Sequence, residues 1–524
     1  MDWLKHLHGW RALEVAWIIV AVPLWVGLFQ ERAPFVKWLL SPITAAVCLI
    51  IAAIGAGVLR WLLERVGFSD TSTPSAIVTL TCFVVTGYAG GRLSARSQLP
   101  EVHKRGAFLE DGTRAQRESI KLKSRYDLIT LAGVAVAPED ETKHFKLIGT
   151  TGTGKSTAIR EILRGALSRG DRAVIADPDG GYVANFFDAA RGDVILNPFD
   201  DRSVKWDLFA EIREPYDVEQ LASALIPAGE EPSGREWRGY ARTFFTALVR
   251  RCRADSRDLA ELWRLLTVAS GDELRPIVAG TPAQPFLEPD NGKMFGSLRS
   301  VVGSAIAALE YIQTQHGAAF SVKEWVRSGR GVLFVPYQAG QIAALRSVIA
   351  AWLRLAIFEA MSGKEGDQRL WFIVDELDAL GPIDGLKDAL ARLRKFGGRC
   401  VLGFQSIAQV SSAYGAGDAQ TIVENCSNTL ILRCSGSEHG GTSRFASNLI
   451  GEREIVRAEY SRGQSHAGFF SRGSHSNVSD NVSYRHVTEH AVLAAEIEQL
   501  PDLAGFLKLA SSPSWMRVAL TPPG

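Results

Sequence analysis

The chain has 524 residues, more than one typical domain needs, so two or three domains are expected. Its 58 basic and 57 acidic side chains leave a formal charge of +1, which excludes binding of nucleic acid through overall charge; any such surface must be local. The six cysteines (Cys48, Cys82, Cys252, Cys400, Cys426 and Cys434) show neither CxxC nor a Cys/His ligand spacing, which argues against a zinc site or a disulfide framework.

Residues 12–29 form a nearly continuous apolar run broken by Glu14, and a second run extends from Leu39 to Leu59. Each is about the length of one bilayer span. Trp10, Trp17, Trp25, Trp38 and Trp61 lie near the ends of these runs, as interfacial aromatics do. A cleaved signal peptide is a rival reading, but no small-residue cleavage site follows and a second long run does. Buried core helices are the other rival. A third run, 75–91, is shorter and richer in Thr and Gly; it can span, lie at the interface or pack as the first core element. Two spans would place Lys5, Arg11, Arg60 and Arg65 on one side and only Arg32 and Lys37 on the other, so the charge bias favours two. Three would move the N-terminus to the opposite side.

Residues 90–145 are polar and mixed and read as a linker. The apolar "HFKLIG" that follows predicts a buried strand. It leads into GxxxxGK[ST], matched by Gly149, Thr150, Thr151, Gly152, Thr153, Gly154, Lys155 and Ser156. Together with Thr157 these are the expected nucleotide-binding residues. The glycines let consecutive backbone N–H groups turn inward on an anionic oxygen cluster, Lys155 suits the β- and γ-phosphates, and the Ser156 hydroxyl suits Mg²⁺. Ile159, Ile162, Leu163, Ala166 and Leu167 then recur at helical spacing up to Gly170, which puts phosphate at a helix N-terminus.

Beyond the loop, "RAVIAD" (172–177), "DVIL" (193–196), "GVLFVP" (331–336), "WFIVDE" (371–376), "CVLGFQS" (400–406) and "TLILRC" (429–434) alternate with helical patterns. This predicts an α/β fold with a mostly parallel sheet. Strand signals nearly vanish from 203 to 316, which predicts an all-α domain inserted into the nucleotide-binding domain. The expected organisation is an anchor over 1–91, a nucleotide-binding domain from 92–202 and 317–524, and the inserted domain over 203–316. The stretch 461–486, rich in Ser, Gly and His and without periodicity, reads as a flexible loop.

Asp375 and Glu376 close a four-residue apolar strand, at the end where ligands bind in an open α/β sheet. Asp375 is the candidate holder of Mg²⁺ through water, and Glu376 the candidate to orient or deprotonate the attacking water. Gln405, at the end of the next strand, can bond the γ-phosphate or that water; a buried amide that satisfies backbone groups is the alternative. Arg392, Arg394, Lys395 and Arg399 lie between those strands and are candidates for a transition-state arginine supplied in trans, although most such residues are solvated helix positions.

"ADPDGGYVANFFDAARGDVILNPFDDRSVKWDLFAEI" (176–212), "REWRGYARTFFTALVRR" (235–251) and "LRKFGGRCVLGFQSIAQV" (393–410) resemble conjugative coupling proteins of type IV secretion, closest to the TrwB/TraD branch of the VirD4-like group. The likeness extends over 140–440. It implies an inner-membrane, RecA-like P-loop ATPase with an inserted all-α domain and N-terminal transmembrane helices. It further implies a hexamer that uses ATP and Mg²⁺ to couple a relaxase–DNA complex to a secretion channel and to pump single-stranded DNA out of the cell. On the resemblance, Lys155, Glu376, Gln405 and Arg394 are catalytic, with Arg394 acting in trans, and Ser156 and Asp375 hold the metal. Arg235, Trp237, Arg238 and Arg242 could contact a strand by charge and stacking, or be solvated residues of an amphipathic helix. Two other functions fit the same motifs: a receptor ATPase for protein substrates of type IV secretion, and an FtsK-like DNA translocase.

Overall fold

The computed structural model describes residues 10–30, 33, 35–65, 72–96, 102–123, 126–228, 232–363, 369–437, 440–465 and 477–522. The chain divides into two compact units, Met1–Val102 with Val456–His486, and His103–Ile455 with Val487–Gly524.

The apolar runs of the first unit fold as long helices, Trp10–Gln30, Ser41–Arg65 and Ser72–Arg96, with a short helix Phe35–Leu39 between the first two. Within them Leu13–Gln30, Ser41–Leu59 and Ile77–Ser94 are each long and apolar enough to cross a membrane. The third run is therefore a full-length helix, where the charge bias favoured only two. Its glycines are contact residues. A Cβ on Gly87 would lie 2.4 Å from the Val20 carbonyl oxygen, and one on Gly91 would lie 2.2 Å from that of Leu24. Spaced four apart, they let two backbones approach as small residues do between apolar helices. Ile43, Ile50, Ile54, Ile77 and Val85 face outward, the reverse of a water-soluble helix bundle.

The second unit is built on a ten-stranded sheet. In chain order its strands are β1 Leu109–Asp111, β2 Phe145–Ile148, β3 Arg172–Pro178, β4 Val194–Ile195 and β5 Val332–Tyr337. They continue with β6 Leu370–Val374, β7 Gly398–Phe404, β8 Asn428–Ile431, β9 Ala504–Lys508 and β10 Trp515–Ala519. Their spatial order is β1-β10-β9-β8-β2-β7-β6-β3-β5-β4. From β8 to β4 every pairing is parallel, and β8–β9 and β9–β10 are antiparallel. The central strands are continuous apolar runs because both faces are covered. In β6, for example, Leu370, Phe372 and Val374 join one buried cluster while Trp371 and Ile373 join the other.

Three features depart from the sequence expectations. The supposed linker carries β1, an edge strand of the main sheet, and the helix Thr113–Lys123. β9 and β10 give only weak signals; in β10, beside β1, Trp515, Met516 and Val518 are buried while Arg517 and Ala519 are exposed. The predicted flexible loop is largely extended: Glu452–Ser465 and Asn477–His490 form a three-stranded sheet with Val102–Gly106, and 466–476 lies outside the described residues. Ladder hydrogen bonds hold such a ribbon without an apolar stripe, so it leaves no hydrophobic period to read.

Between the short parallel strands Lys205–Trp206 and Ala319–Phe320, the chain is mainly helical, with Asp217–Leu225, Pro232–Ala254, Leu259–Thr267, Gly271–Val278, Gly292–Ile306 and Leu309–Thr314. Buried Glu211 ties the ends of this excursion together. Its carboxylate accepts from the Trp206 indole at 2.8 Å and from the backbone N–H groups of Val322 and Lys323 at 2.6 and 3.0 Å. The helices share one continuous apolar cluster with a face of the sheet.

Candidate nucleotide site

The carboxyl ends of β2, β7 and β6 lie side by side, with β7 between the strand that feeds the glycine loop and the strand that feeds the acidic pair. Ile148 pairs with Phe404, and Leu402 pairs with Val374, so Gly149, Gln405 and Asp375 leave the sheet on one edge. Strands stand about 4.8 Å apart, and side chains can bridge the two strand positions between loop and acids.

Gly152 and Gly154 take φ of 79° and 118°, the left-handed region that favours glycine, and Lys155 then starts the helix Lys155–Ser168. Gly154 is required on steric grounds too, since a Cβ there would lie 2.9 Å from methyl carbons of both Leu503 and Leu520. The loop is braced from outside. The Thr150 N–H donates to the Arg433 carbonyl at 2.9 Å, and the Leu503 N–H donates to that of Thr153, also at 2.9 Å. Neither brace was visible in the sequence, because both come from segments far along the chain.

Buried Lys155 folds back on the loop, its Nζ donating to the Gly149 carbonyl at 2.6 Å and the Thr150 carbonyl at 3.3 Å. Burial lowers its pKa, while Asp375 and Glu376 oppose that shift. Ser156 Oγ donates to Asp375 Oδ2 at 2.7 Å, which joins the loop to the acidic pair directly. Thr157 follows on the first helical turn.

Asp375 Oδ1 is buried and has no hydrogen-bond partner among the described residues. An orphaned carboxylate oxygen next to a serine hydroxyl is a donor set for a hard divalent cation. The residues present therefore fit such an ion. Gln405 connects the third corner: its Nε2 donates to Glu376 Oε1 at 3.1 Å, and its Oε1 accepts from Thr151 Oγ1 at 3.0 Å. Burial raises the Glu376 pKa, with Asp375 and Asp378 adding like charge.

Tyr182 and Asp177 also belong to this edge, and residue-by-residue reading passed them over. Tyr182 is 2% exposed, and its hydroxyl donates to Asp375 Oδ2 at 2.7 Å. Asp177, at the end of β3, accepts from the backbone N–H groups of Tyr182 and Val183; burial pushes its carboxyl up to about 6. The Asp-Pro-Asp-Gly-Gly run before Tyr182 was the available signal, a turn signature at a strand end.

The arginine candidates separate cleanly. Arg399 is buried, its Nε donating to Glu141 Oε2 at 2.8 Å, so it is structural and the sequence expectation for it is corrected. Arg392, Arg394 and Lys395 are exposed. Arg394 precedes β7, whereas Gln405 follows it; seven residues of strand put them about 20 Å apart. Arg394 cannot reach the phosphate loop of its own chain. In the helical excursion, Arg238 and Arg242 donate to the carbonyls of Pro227 and Ile226 at 3.1 and 2.6 Å, and Trp237 packs edge-on against Tyr240. Those three are tied into the fold, while Arg235 is exposed.

Residues 128–521 match the family described as the type IV secretion-system coupling protein DNA-binding domain. The chain belongs to the type IV secretion-system coupling proteins. As a coupling protein it is 30% identical over 466 residues to the coupling protein TraD of Escherichia coli strain K12, which takes in 86% of this chain and 62% of TraD. The chain thus spans less than two thirds of the length of that relative. Among solved structures, the unbound monoclinic form of the bacterial conjugative coupling protein TrwBdeltaN70 is 30% identical, with a TM-score of 0.71, over 82% of this chain and 96% of TrwBdeltaN70. TrwB in complex with the non-hydrolysable ATP analogue ADPNP is 29% identical, covers 82% and 96%, and has the same TM-score of 0.71. TrwB with ADP and Mg²⁺ gives 30%, 81% and 96%, again with a TM-score of 0.71. These likenesses bear out the resemblance read from the sequence, and the mixed α/β sheet fits a P-loop ATPase fold.

Proposed function

We propose that this chain is a membrane-anchored, RecA-like ATPase of conjugation, which recruits a relaxase–DNA complex to a type IV secretion channel and drives single-stranded DNA through it. The observation that carries the reading is the meeting of Lys155, Ser156–Asp375 and Gln405–Glu376 on one edge of the sheet. The complexes of TrwB with ADPNP and with ADP and Mg²⁺ support ATP and Mg²⁺ as what this edge takes up.

Residues Gly149 to Thr157 then hold the phosphates, with Lys155 swinging from its two carbonyls onto the anion. Ser156 and Asp375 hold Mg²⁺, which when bound neutralises phosphate charge. Glu376 orients the attacking water and accepts its proton, and Gln405 ties that carboxylate to the loop through Thr151. Arg394 serves the site of the neighbouring subunit in a hexamer, as its place at the far end of β7 requires of any role in hydrolysis. Residues 203–316 act as an inserted all-α domain between 92–202 and 317–524. Residues 1–91 act as an inner-membrane anchor that leaves the ATPase in the cytoplasm, and the three apolar helices support that reading.

The experiment is ATP turnover by the full chain in detergent micelles, measured against single-stranded DNA at low salt, with Lys155→Ala as the blank. Stimulation that rises steeply with protein concentration and vanishes in the variant supports a DNA-driven ring. Turnover indifferent to DNA would replace it with the receptor for protein substrates.

A further inference from the structure

We propose that Tyr182 is a positioning residue for the metal-holding carboxylate: its buried hydroxyl, bonded to Asp375 Oδ2 at 2.7 Å, fixes the carboxylate rotation that leaves Asp375 Oδ1 buried without a hydrogen-bond partner among the described residues. This rests on the nucleotide reading above.

Asp375 Oδ2 receives two hydrogens, from Ser156 and Tyr182. Ser156 is shared, because in the same reading its oxygen serves the cation. Tyr182, whose hydroxyl also meets the Ser156 side chain, is the donor that this reading does not give to the cation. Removing it leaves the carboxylate free to turn its empty oxygen toward another partner. Groups that orient a metal ligand in this way affect metal affinity by about 10–100-fold.

The local fold is arranged to deliver this hydroxyl. β3 ends at Pro178, and Asp179 and Gly180 both adopt left-handed backbone, φ 58° and 70°, so the chain reverses sharply. The helix Gly181–Phe186 then starts under Asp177, whose Oδ2 accepts from the N–H groups of Tyr182 at 3.0 Å and Val183 at 2.7 Å. Across the ring, the Arg160 guanidinium lies 5.9 Å from the Tyr182 centroid, which restrains the ring from the phosphate-loop helix. The tyrosine is thus held at backbone, ring and hydroxyl, and only the hydroxyl touches the site.

The test is Tyr182→Phe in the full chain in detergent, which keeps the ring and removes one oxygen. Binding of a fluorescent ATP analogue is measured in EDTA and then titrated with Mg²⁺. The expected result is unchanged affinity in EDTA and a Mg²⁺ midpoint about tenfold or more higher than wild type. Tyr337→Phe removes a second buried phenol oxygen, one without a partner among the described residues, and should keep the wild-type midpoint. Equal midpoints for wild type and Tyr182→Phe would overturn the proposal. So would a loss of affinity of the same size with and without Mg²⁺, which would make Tyr182 a packing residue. A wild-type chain that binds the analogue under neither condition would overturn the nucleotide reading itself.

Discussion

Gln405 and Glu376 are joined by a hydrogen bond of 3.1 Å, amide to carboxylate, at the ends of neighbouring parallel strands. The other end of the same amide accepts from Thr151 in the phosphate loop at 3.0 Å. One side chain therefore registers both the loop and the residue assigned to the attacking water. Gln405→Ala should leave ATP-analogue affinity within about threefold of wild type and reduce turnover by about 10²-fold, the scale on which a lost proton-transfer or orienting group acts. Binding by fluorescence and turnover by phosphate release separate the two.

Glu376 gives a pH signature. Burial first, then the Asp375 and Asp378 charges, raise its pKa above the model-compound value of 4.5. A base must be deprotonated to accept a proton, so turnover is present above that raised pKa and falls as pH drops through it. The acid limb of kcat/KM, which reports the nucleotide-free chain, should therefore lie above 4.5, and Glu376→Gln should abolish turnover at every pH while still binding nucleotide. A limb at or below the ordinary glutamate range would assign the base elsewhere.

Arg394 is testable by mixing. Lys155→Ala subunits lack a working site but carry Arg394; Arg394→Ala subunits have the reverse. Each alone should be inactive. Mixed in equal amounts, they should recover a readily measured fraction of wild-type turnover, since some interfaces then pair an intact loop with an intact arginine. No recovery, in mixtures shown to co-assemble, would remove Arg394 from the catalytic set.

Much of this site is legible in the sequence. Fully buried parallel strands announce themselves as short apolar runs, and the loop, Asp375, Glu376 and Gln405 stand at the ends of such runs. What escaped depends on distant partners. Tyr182 looks like any core tyrosine until Asp375, 193 positions away, is placed against its hydroxyl. Arg399 looked as available as Arg394 until Glu141 was found beside it. Gly87 and Gly91 lowered the apparent hydropathy of the third helix for a reason found only in the Val20 and Leu24 carbonyls. The ribbon on either side of 466–476 is held by its ladder, which composition does not record.

His144 should make the second unit acid-sensitive. It is buried against the sheet, with Nε2 2.9 Å from the Leu390 carbonyl and Nδ1 accepting from the Cys400 N–H at 3.1 Å, a neutral tautomer. Burial, with Arg394 and Arg399 nearby, lowers its pKa from 6.5 to about 4. The unfolded chain then binds the proton first as pH falls, so the stabilisation is complete above 6.5 and is lost between 6.5 and 4. The loss is about 3 kcal/mol over that interval. His144→Asn, which tolerates the left-handed backbone at φ 55°, should flatten the pH dependence of the denaturation midpoint.

The central claim is that Lys155, Ser156, Asp375, Glu376 and Gln405 form one nucleotide site. Equilibrium binding of ATP with Mg²⁺ to the full chain, compared among wild type, Lys155→Ala and Glu376→Gln, tests it most directly. The account predicts one nucleotide per chain for wild type and for Glu376→Gln, the latter without turnover, and at least a hundredfold weaker binding for Lys155→Ala, about 2.7 kcal/mol. Binding by Lys155→Ala with wild-type affinity and stoichiometry would contradict it.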